Sequence, residues 1–238
     1  HGIYTDAFFT YSAAFNARYG QQASAGYNHL QFNFNFRHYV ECLPKRITFA
    51  YRIGTQNLIA GHCPFYKNNY ANALFIQRVY YEGLGGANSI RGMVANRVLA
   101  NGFLYANVEF RFRVVNFDIK HQHFFIGLNP FFDFGMVTQP YKLDDVVNTN
   151  THGKYRTLQE SFAAYNAEQS QQGLPQEKIE NYFSFSDKDI YRPHMTAGIG
   201  LKIGMNENFV LSADWGMPID KQDNGKYANF YVKMGYLF

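Results

Sequence analysis

Long runs of strict alternation dominate this chain, and they leave few folds open. In residues 102–115, Leu104, Ala106, Val108, Phe110, Phe112 and Val114 share one side of an extended ribbon, while Tyr105, Asn107, Glu109, Arg111 and Arg113 share the other. A period of two belongs to a strand, because successive side chains of an extended backbone point to opposite faces. The pattern returns in 27–40 (Leu30, Phe32, Phe34, Phe36), 46–58 (Ile47, Phe49, Tyr51, Ile53), 121–137 (Phe124, Ile126, Leu128, Phe132, Phe134, Met136), 194–204 (Met195, Ala197, Ile199, Leu201, Ile203) and 207–218 (Phe209, Leu211, Ala213, Trp215, Met217). It closes the chain in 226–238, with Phe230, Val232, Met234, Tyr236 and Phe238 on one face, and is weaker in 5–19, where Tyr11, Ala13, Phe15 and Ala17 oppose Ser12, Asn16 and Arg18. That makes eight strands. Many reach about 9–11 residues or more, the length that carries a tilted strand across a bilayer, whereas the mean soluble strand is about 5–6 residues. A soluble antiparallel sheet also alternates, but here the polar faces carry Arg, Glu, Lys and Asn in mid-strand, as a hydrated lumen allows. The expected fold is all-β, an antiparallel transmembrane β-barrel.

Composition narrows the alternatives. With 24 Phe and 19 Tyr in 238 residues, the chain has too much aromatic surface for disorder. Two cysteines exclude a disulfide scaffold. No run of about 18 apolar residues exists to make a transmembrane helix, a test that strands escape. A net charge of +4, scattered along the chain, gives no footprint for nucleic acid. His1-Gly2-Ile3-Tyr4 lacks the basic and apolar regions of a signal peptide, so the expectation is a removed signal or a chain that starts within a longer protein.

The connections alternate between short and long. If the last strand ends in the periplasm, the periplasmic links are 41–45, 116–120 and 205–206. The outer ones are 20–26, 59–101, 138–193 and 219–225. Short inner turns and long outer loops are the outer-membrane pattern. Leu158, Phe162, Ala163 and Tyr165 predict a short amphipathic helix over 157–170, with Gly173 as its stop and Pro175 opening a second turn in 175–183. Pro130 lacks a ladder donor, which predicts a bulge or local break in 121–137.

The loop 59–101 contains Gly83-Leu84-Gly85-Gly86-Ala87-Asn88-Ser89-Ile90-Arg91-Gly92-Met93, a glycine-rich turn region presenting one arginine. A phosphate loop would need a Gly-Lys-Ser/Thr ending and a following helix, and a dinucleotide site would need a strand–turn–helix unit. Neither is present in this sequence. Glu109 and Asp133, the latter in Phe131-Phe132-Asp133-Phe134-Gly135, fall on the polar faces of the next two strands. That parity follows from the apolar residues alone.

These residues resemble the BamA/TamA-like outer-membrane insertase superfamily, which also includes two-partner secretion transporters. Its sixth outer loop carries a Val/Ile-Arg-Gly-aromatic motif, usually after Gly-Gly. Here Gly85, Gly86, Ile90, Arg91 and Gly92 match, and Met93 replaces the aromatic. The resemblance implies that the loop folds into the lumen, where Arg91 meets Glu109 and Asp133 of a Phe-x-Asp-x-Gly pattern ending in Gly135. The terminal aromatic Phe238, with Phe230, Val232, Met234 and Tyr236, resembles the C-terminal signal of outer-membrane barrels. The match is specific over 75–238 and generic over 1–74. It implies the C-terminal portion of a sixteen-stranded barrel, with residues 1–238 as one barrel domain; eight strands closing by themselves is the alternative.

The same resemblance implies a place in the bacterial outer membrane and a role in assembly, with the last strand templating incoming strands and no covalent catalysis. The partners implied are the lipid bilayer, client outer-membrane proteins, and periplasmic domains or a remaining barrel half. Other readings are a two-partner-type secretion pore, a small passive or adhesive barrel, and the barrel anchor of an enzyme domain. No cofactor or metal is expected. His121-x-His123 puts two imidazoles on the inward face near a turn, and His62-Cys63 is a similarly sparse pair for a metal. Cys42 and Cys63 lie at opposite ends of a strand, too far apart for a disulfide. Asp214 and Lys233, inward on neighbouring strands, are placed to pair.

Overall fold

A computed structural model of the chain describes residues 2–12, 28–61, 63, 83–151, 153–179, 190–206, 208–220, 223 and 228–235, with no account of the side chains at 145, 146, 149 and 150. The β-branched and aromatic residues that alternate in the sequence form eight strands: β1 (Gly2–Ser12), β2 (His29–Leu43), β3 (Ile47–Gly61), β4 (Gly102–Ile119), β5 (Gln122–Gln139), β6 (His194–Met205), β7 (Phe209–Pro218) and β8 (Asn229–Met234). They form one antiparallel sheet in sequence order, an up-and-down meander. Among the described residues no pairing joins β1 to β8. The central strands β2 to β5 have 15, 15, 18 and 18 residues, ample to cross a hydrocarbon layer at a tilt.

The distribution of side chains is inverted relative to a soluble sheet. The exposed large hydrophobics include Phe110, Leu128, Phe132, Ile199, Leu201, Ile203, Trp215 and Met217, all on the faces expected to meet lipid. The buried set includes Asn33, Arg52, Gln56, Asn107, Glu109, Asn129, Asp133, Lys202 and Asp214, all on the opposite faces. An outward apolar band around a polar interior is the pattern of a membrane-spanning barrel wall.

The strand ends differ from expectation in instructive ways. The sheet residues of β1 begin earlier than residue 5, and 13–19 lie outside the described residues; Tyr11 faces outward as the alternation requires. β4 runs on to Ile119, and Val114 is the extra residue of a bulge between Arg113 and Val115, so the expected link 116–120 shrinks to Lys120 and His121. Both have positive φ (44° and 69°), the backbone a two-residue hairpin demands. The β2–β3 link at this rim, 44–46, is also short, at three residues. Pro130 produces a break without a bulge. The β4–β5 ladder passes from Glu109↔Phe131 to Phe112↔Leu128 with no slip, missing two pairs, while Pro130 stays paired with Ile199 on the β6 side.

At the other rim the 140–193 connection holds two helices, α1 (Leu143–Asn150) and α2 (Leu158–Gln171). The first was not foreseen. The second starts where the sequence indicates: Thr157 caps it by accepting from the Glu160 amide (3.1 Å). It ends at Gly173, whose φ of 71° turns the chain out of the helix. Its expected amphipathicity is a correction. No residue of α2 is buried, and Phe162 and Tyr165 pack against each other (ring centroids 6.0 Å apart). Residues 174–178 are irregular, residue 179 within the expected 175–183 turn is 3₁₀-helical, and the rest of that span lies outside the described residues.

Candidate functional site: a loop held inside the sheet

The loop before β4 turns inward and lies against the polar face. It is anchored by a short bridge between Leu84 and Val98. Gly86, at φ 102°, bends the chain so that its amide donates to both Ile90 O and Met93 O (3.1 Å each), and the Gly85 amide donates to Ser89 Oγ (2.9 Å). The resulting knot carries its apolar residues into a small core: Leu84, Ile90 and Met93 pack with Ala100, Phe103, Tyr105 and Val137. Gly135 leaves room for Ile90, since a Cβ there would meet Ile90 Cδ1 at 2.3 Å and force that side chain to shift. Gly92 has φ 93°, and a Cβ on it would come within 2.9–3.1 Å of the β7 backbone at Gly216 and Met217.

Arg91 is fully buried, as are Glu109 and Asp133. Its Nε and Nη2 donate to Asp133 Oδ2 and Oδ1 (2.9 Å each), and its backbone amide donates to Oδ2 as well (2.9 Å). Nη1 donates to Glu109 Oε1 at 2.6 Å. The guanidinium carbon lies 3.6 Å from the centre of the Phe131 ring, on the inner face of β5. A planar fork matched to a carboxylate explains why arginine occupies this position. Burial favours the neutral guanidine, but Asp133 and Glu109 outweigh it, so the Arg91 pKa sits above the ordinary arginine value.

The cluster extends beyond the three residues singled out in the sequence. Asp214 on β7 is a third acid, 3.7 Å from Arg91 Nη1. It takes a hydrogen bond from Lys202 Nζ and lies 3.6 Å from Lys233 Nζ, the pairing expected from neighbouring inward positions. Glu109 also accepts from Arg111 Nε (2.9 Å) and Asn129 Nδ2 (3.3 Å). Charges so deeply buried are tolerable only when paired in this way.

The loop backbone is held from both sides, a feature the sequence did not disclose. From β3 and β4, Arg52 Nη2 donates to Asn88 O (2.8 Å) and Asn107 Nδ2 to Ser89 O (2.6 Å). From β8, Lys233 Nζ donates to Ala87 O (3.1 Å), Asn229 Nδ2 to Gly92 O (2.6 Å) and Tyr231 OH to Met93 O. Five carbonyls of one short segment thus accept from five inward side chains on three strands. The only sequence signal for these donors is their parity.

The remaining expectations resolve differently. Phe230, Val232 and Met234 face outward at 64%, 61% and 75% exposure, while Tyr236 and Phe238 lie outside the described residues. His121 sits in the hairpin turn, not on the lumenal face, and His123 pairs with the exposed Asp118 (2.7 Å), because the β4–β5 hairpin extends past the interior. Among the described residues no group of three His, Cys, Asp or Glu side chains is placed to hold a metal. His62 lies outside the described residues; Cys63 is buried and accepts from Gln31 Nε2 (3.3 Å), Cys42 is exposed, and no disulfide joins them.

A meander of bilayer-length strands, apolar outside and polar inside, with an arginine loop clamped to its inner wall, defines a segment of an outer-membrane-type β-barrel. The comparisons agree. Residues 8–238 match the family model of the Omp85 superfamily domain, and the chain belongs to that superfamily. This places it among the outer-membrane barrels that insert or secrete proteins. No curated protein and no solved structure matches the chain.

Proposed function

We propose that this chain is the C-terminal portion of a BamA/TamA-like assembly barrel, in which the edge of β8 templates strands of client outer-membrane proteins. The observation that carries this reading is the coupling of lock to edge. The loop fastened by Arg91 is bonded through its carbonyls at 87, 92 and 93 to Lys233, Asn229 and Tyr231, the inward residues of β8. On its other side β8 has no partner strand among the described residues. An unpaired strand edge is a template for pairing by β-augmentation. The lock holds the inward face of that edge while leaving its backbone groups available, and no covalent chemistry is required. On this reading the rest of the barrel and periplasmic domains complete the machine, and the lipid bilayer and client proteins are its partners.

The test is site-specific crosslinking. A cysteine at Val232 should form a disulfide with cysteines in the last strand of a client during assembly into vesicles. Crosslinks along one continuous register support templating. No crosslink, together with steady ion conductance through the intact protein, would instead favour a secretion pore.

A further inference from the structure

We propose that the β4–β5 hairpin reaches past the bilayer as a docking strand for a periplasmic partner, which adds an extended segment to the open edge of β4 at residues 114–119. The two strands of this hairpin are the longest in the sheet, at 18 residues each. The outward apolar residues of β4 run from Leu104 to Ile119. At about 3.3 Å per residue and a tilt of about 40°, an apolar band about 25 Å tall is filled by roughly ten residues. Counted from Leu104, the band ends near Val114. Val115, Phe117 and Ile119 stand beyond it on the side of the short turns, 45%, 36% and 52% exposed. Phe124 of β5 completes their face, its ring stacked on that of Phe117 (centroids 5.5 Å apart). With the short turns in the periplasm, as in outer-membrane barrels, this apolar face meets water unless a partner covers it.

The backbone says what kind of partner fits. β3 pairs with β4 only as far as Ile47↔Phe112, and beyond that the Arg113 amide donates to Arg46 O (2.8 Å). From Val114 onward β4 has β5 on one side and, among the described residues, no strand on the other. The bulge at Val114 marks the point where the pairing with β3 stops. An open row of amides and carbonyls beside alternating apolar side chains is a template for a strand. The devices that usually blunt such an edge are sparse. Residues 114–119 contain no proline, and their one charge, Asp118, is taken up by His123 across the hairpin (2.7 Å). The vacant position prolongs the line of β3. A strand lying there antiparallel to β4, as β3 does, runs toward the β2–β3 turn and ends beside the exposed Lys45 and Arg46. The segment that fits is therefore extended, apolar at alternate positions and acidic at its C-terminal end. This edge is separate from that of β8, and the inference does not depend on how β8 is used.

The probe is a synthetic peptide of alternating Val and Thr closed by two Glu, added to the full chain in neutral detergent at low salt. Anisotropy of the labelled peptide reads its affinity, and hydrogen exchange reads its place. Saturable binding is expected, with exchange slowed across 114–119 and unchanged across 229–234. Val115→Lys with Phe117→Lys should weaken binding by about tenfold or more, because it removes the apolar contact. A charge exchange guards against misfolding. A peptide closed by two Lys should bind the natural protein less tightly than the Glu peptide, and Lys45→Glu with Arg46→Glu should reverse that order. In phosphatidylcholine nanodiscs without peptide, the amides of 114–119 that do not bond to β5 should exchange rapidly. Slow exchange there would mean that the bilayer covers this face and would overturn the proposal. So would the absence of saturable binding, slowed exchange at 229–234 in place of 114–119, or equal affinity of the natural protein for the two peptides.

Discussion

Two long connections leave the same rim of this sheet and meet opposite fates. The segment 84–100 folds inward and is buried around Arg91, whereas the described stretch 153–179 carries a helix that buries none of its residues. Length does not separate them. The difference lies in what the strands offer. Inward side chains of β3, β4 and β8 present donors matched to the carbonyls of 87–93, and Glu109 and Asp133 present acceptors to Arg91. The second segment supplies its own partners instead: Thr157 caps α2, the Leu158 amide donates to Asp144, and Asn166 exchanges hydrogen bonds with the backbone of Glu177. A loop enters a polar interior when the wall satisfies its backbone, because a buried carbonyl or amide without a partner is costly.

The contrast is most sharply broken at Arg91. Arg91→Ala strands buried carboxylates without their cation, at a cost of about 3–5 kcal/mol. The loop should then become cleavable by added protease while 140–193 is cut at its former rate; unchanged protection of the loop would refute the lock. Arg91→Lys should recover only part of the protection, since an ammonium cannot reproduce the two-pronged contact with Asp133.

Gly92→Ala comes next. A methyl group there meets the β7 backbone and is strained at positive φ, which should destabilise the docked loop by about 1–3 kcal/mol. Heat-induced unfolding in detergent should shift downward accordingly, and a shift smaller than that of Gly153→Ala, a positive-φ glycine with open space around it, would contradict the close packing. Asn107→Ala removes one carbonyl donor and the acceptor for Arg52, for about 1–3 kcal/mol. Hydrogen exchange should rise across 87–91 but not in α2. The smallest effect is expected at Thr157→Ala. Loss of the cap costs about 1 kcal/mol locally, speeding exchange at the start of α2 with no change in protease protection of the inward loop.

The same two regions show how far the sequence could be read. Alternation alone placed Glu109 and Asp133 on the inner face and Phe110 and Phe132 outside, and the motif Ile90-Arg91-Gly92 pointed to a partner for each acid. Gly173 marked the end of α2 correctly because a helix stop is a local signal, while the Thr157 cap came to light only in the structure. Its amphipathicity failed because apolar spacing on a helix states a preference for burial, and here Phe162 and Tyr165 meet each other. The Lys120–His121 turn was misplaced because neither residue advertises positive φ.

What the amino-acid order determined unaided is the two-sidedness of each strand, since an extended backbone sends neighbours to opposite faces whatever surrounds them. Which loop carbonyls the inward donors meet, and that a third acid joins the cluster, was decided only by how the strands pack around the loop. Asp214 reaches Arg91 from β7, and Lys233 reaches Ala87 across 146 positions of sequence. A backbone carbonyl leaves no mark in the residue it belongs to, so its partners emerge only when the wall has curved around it.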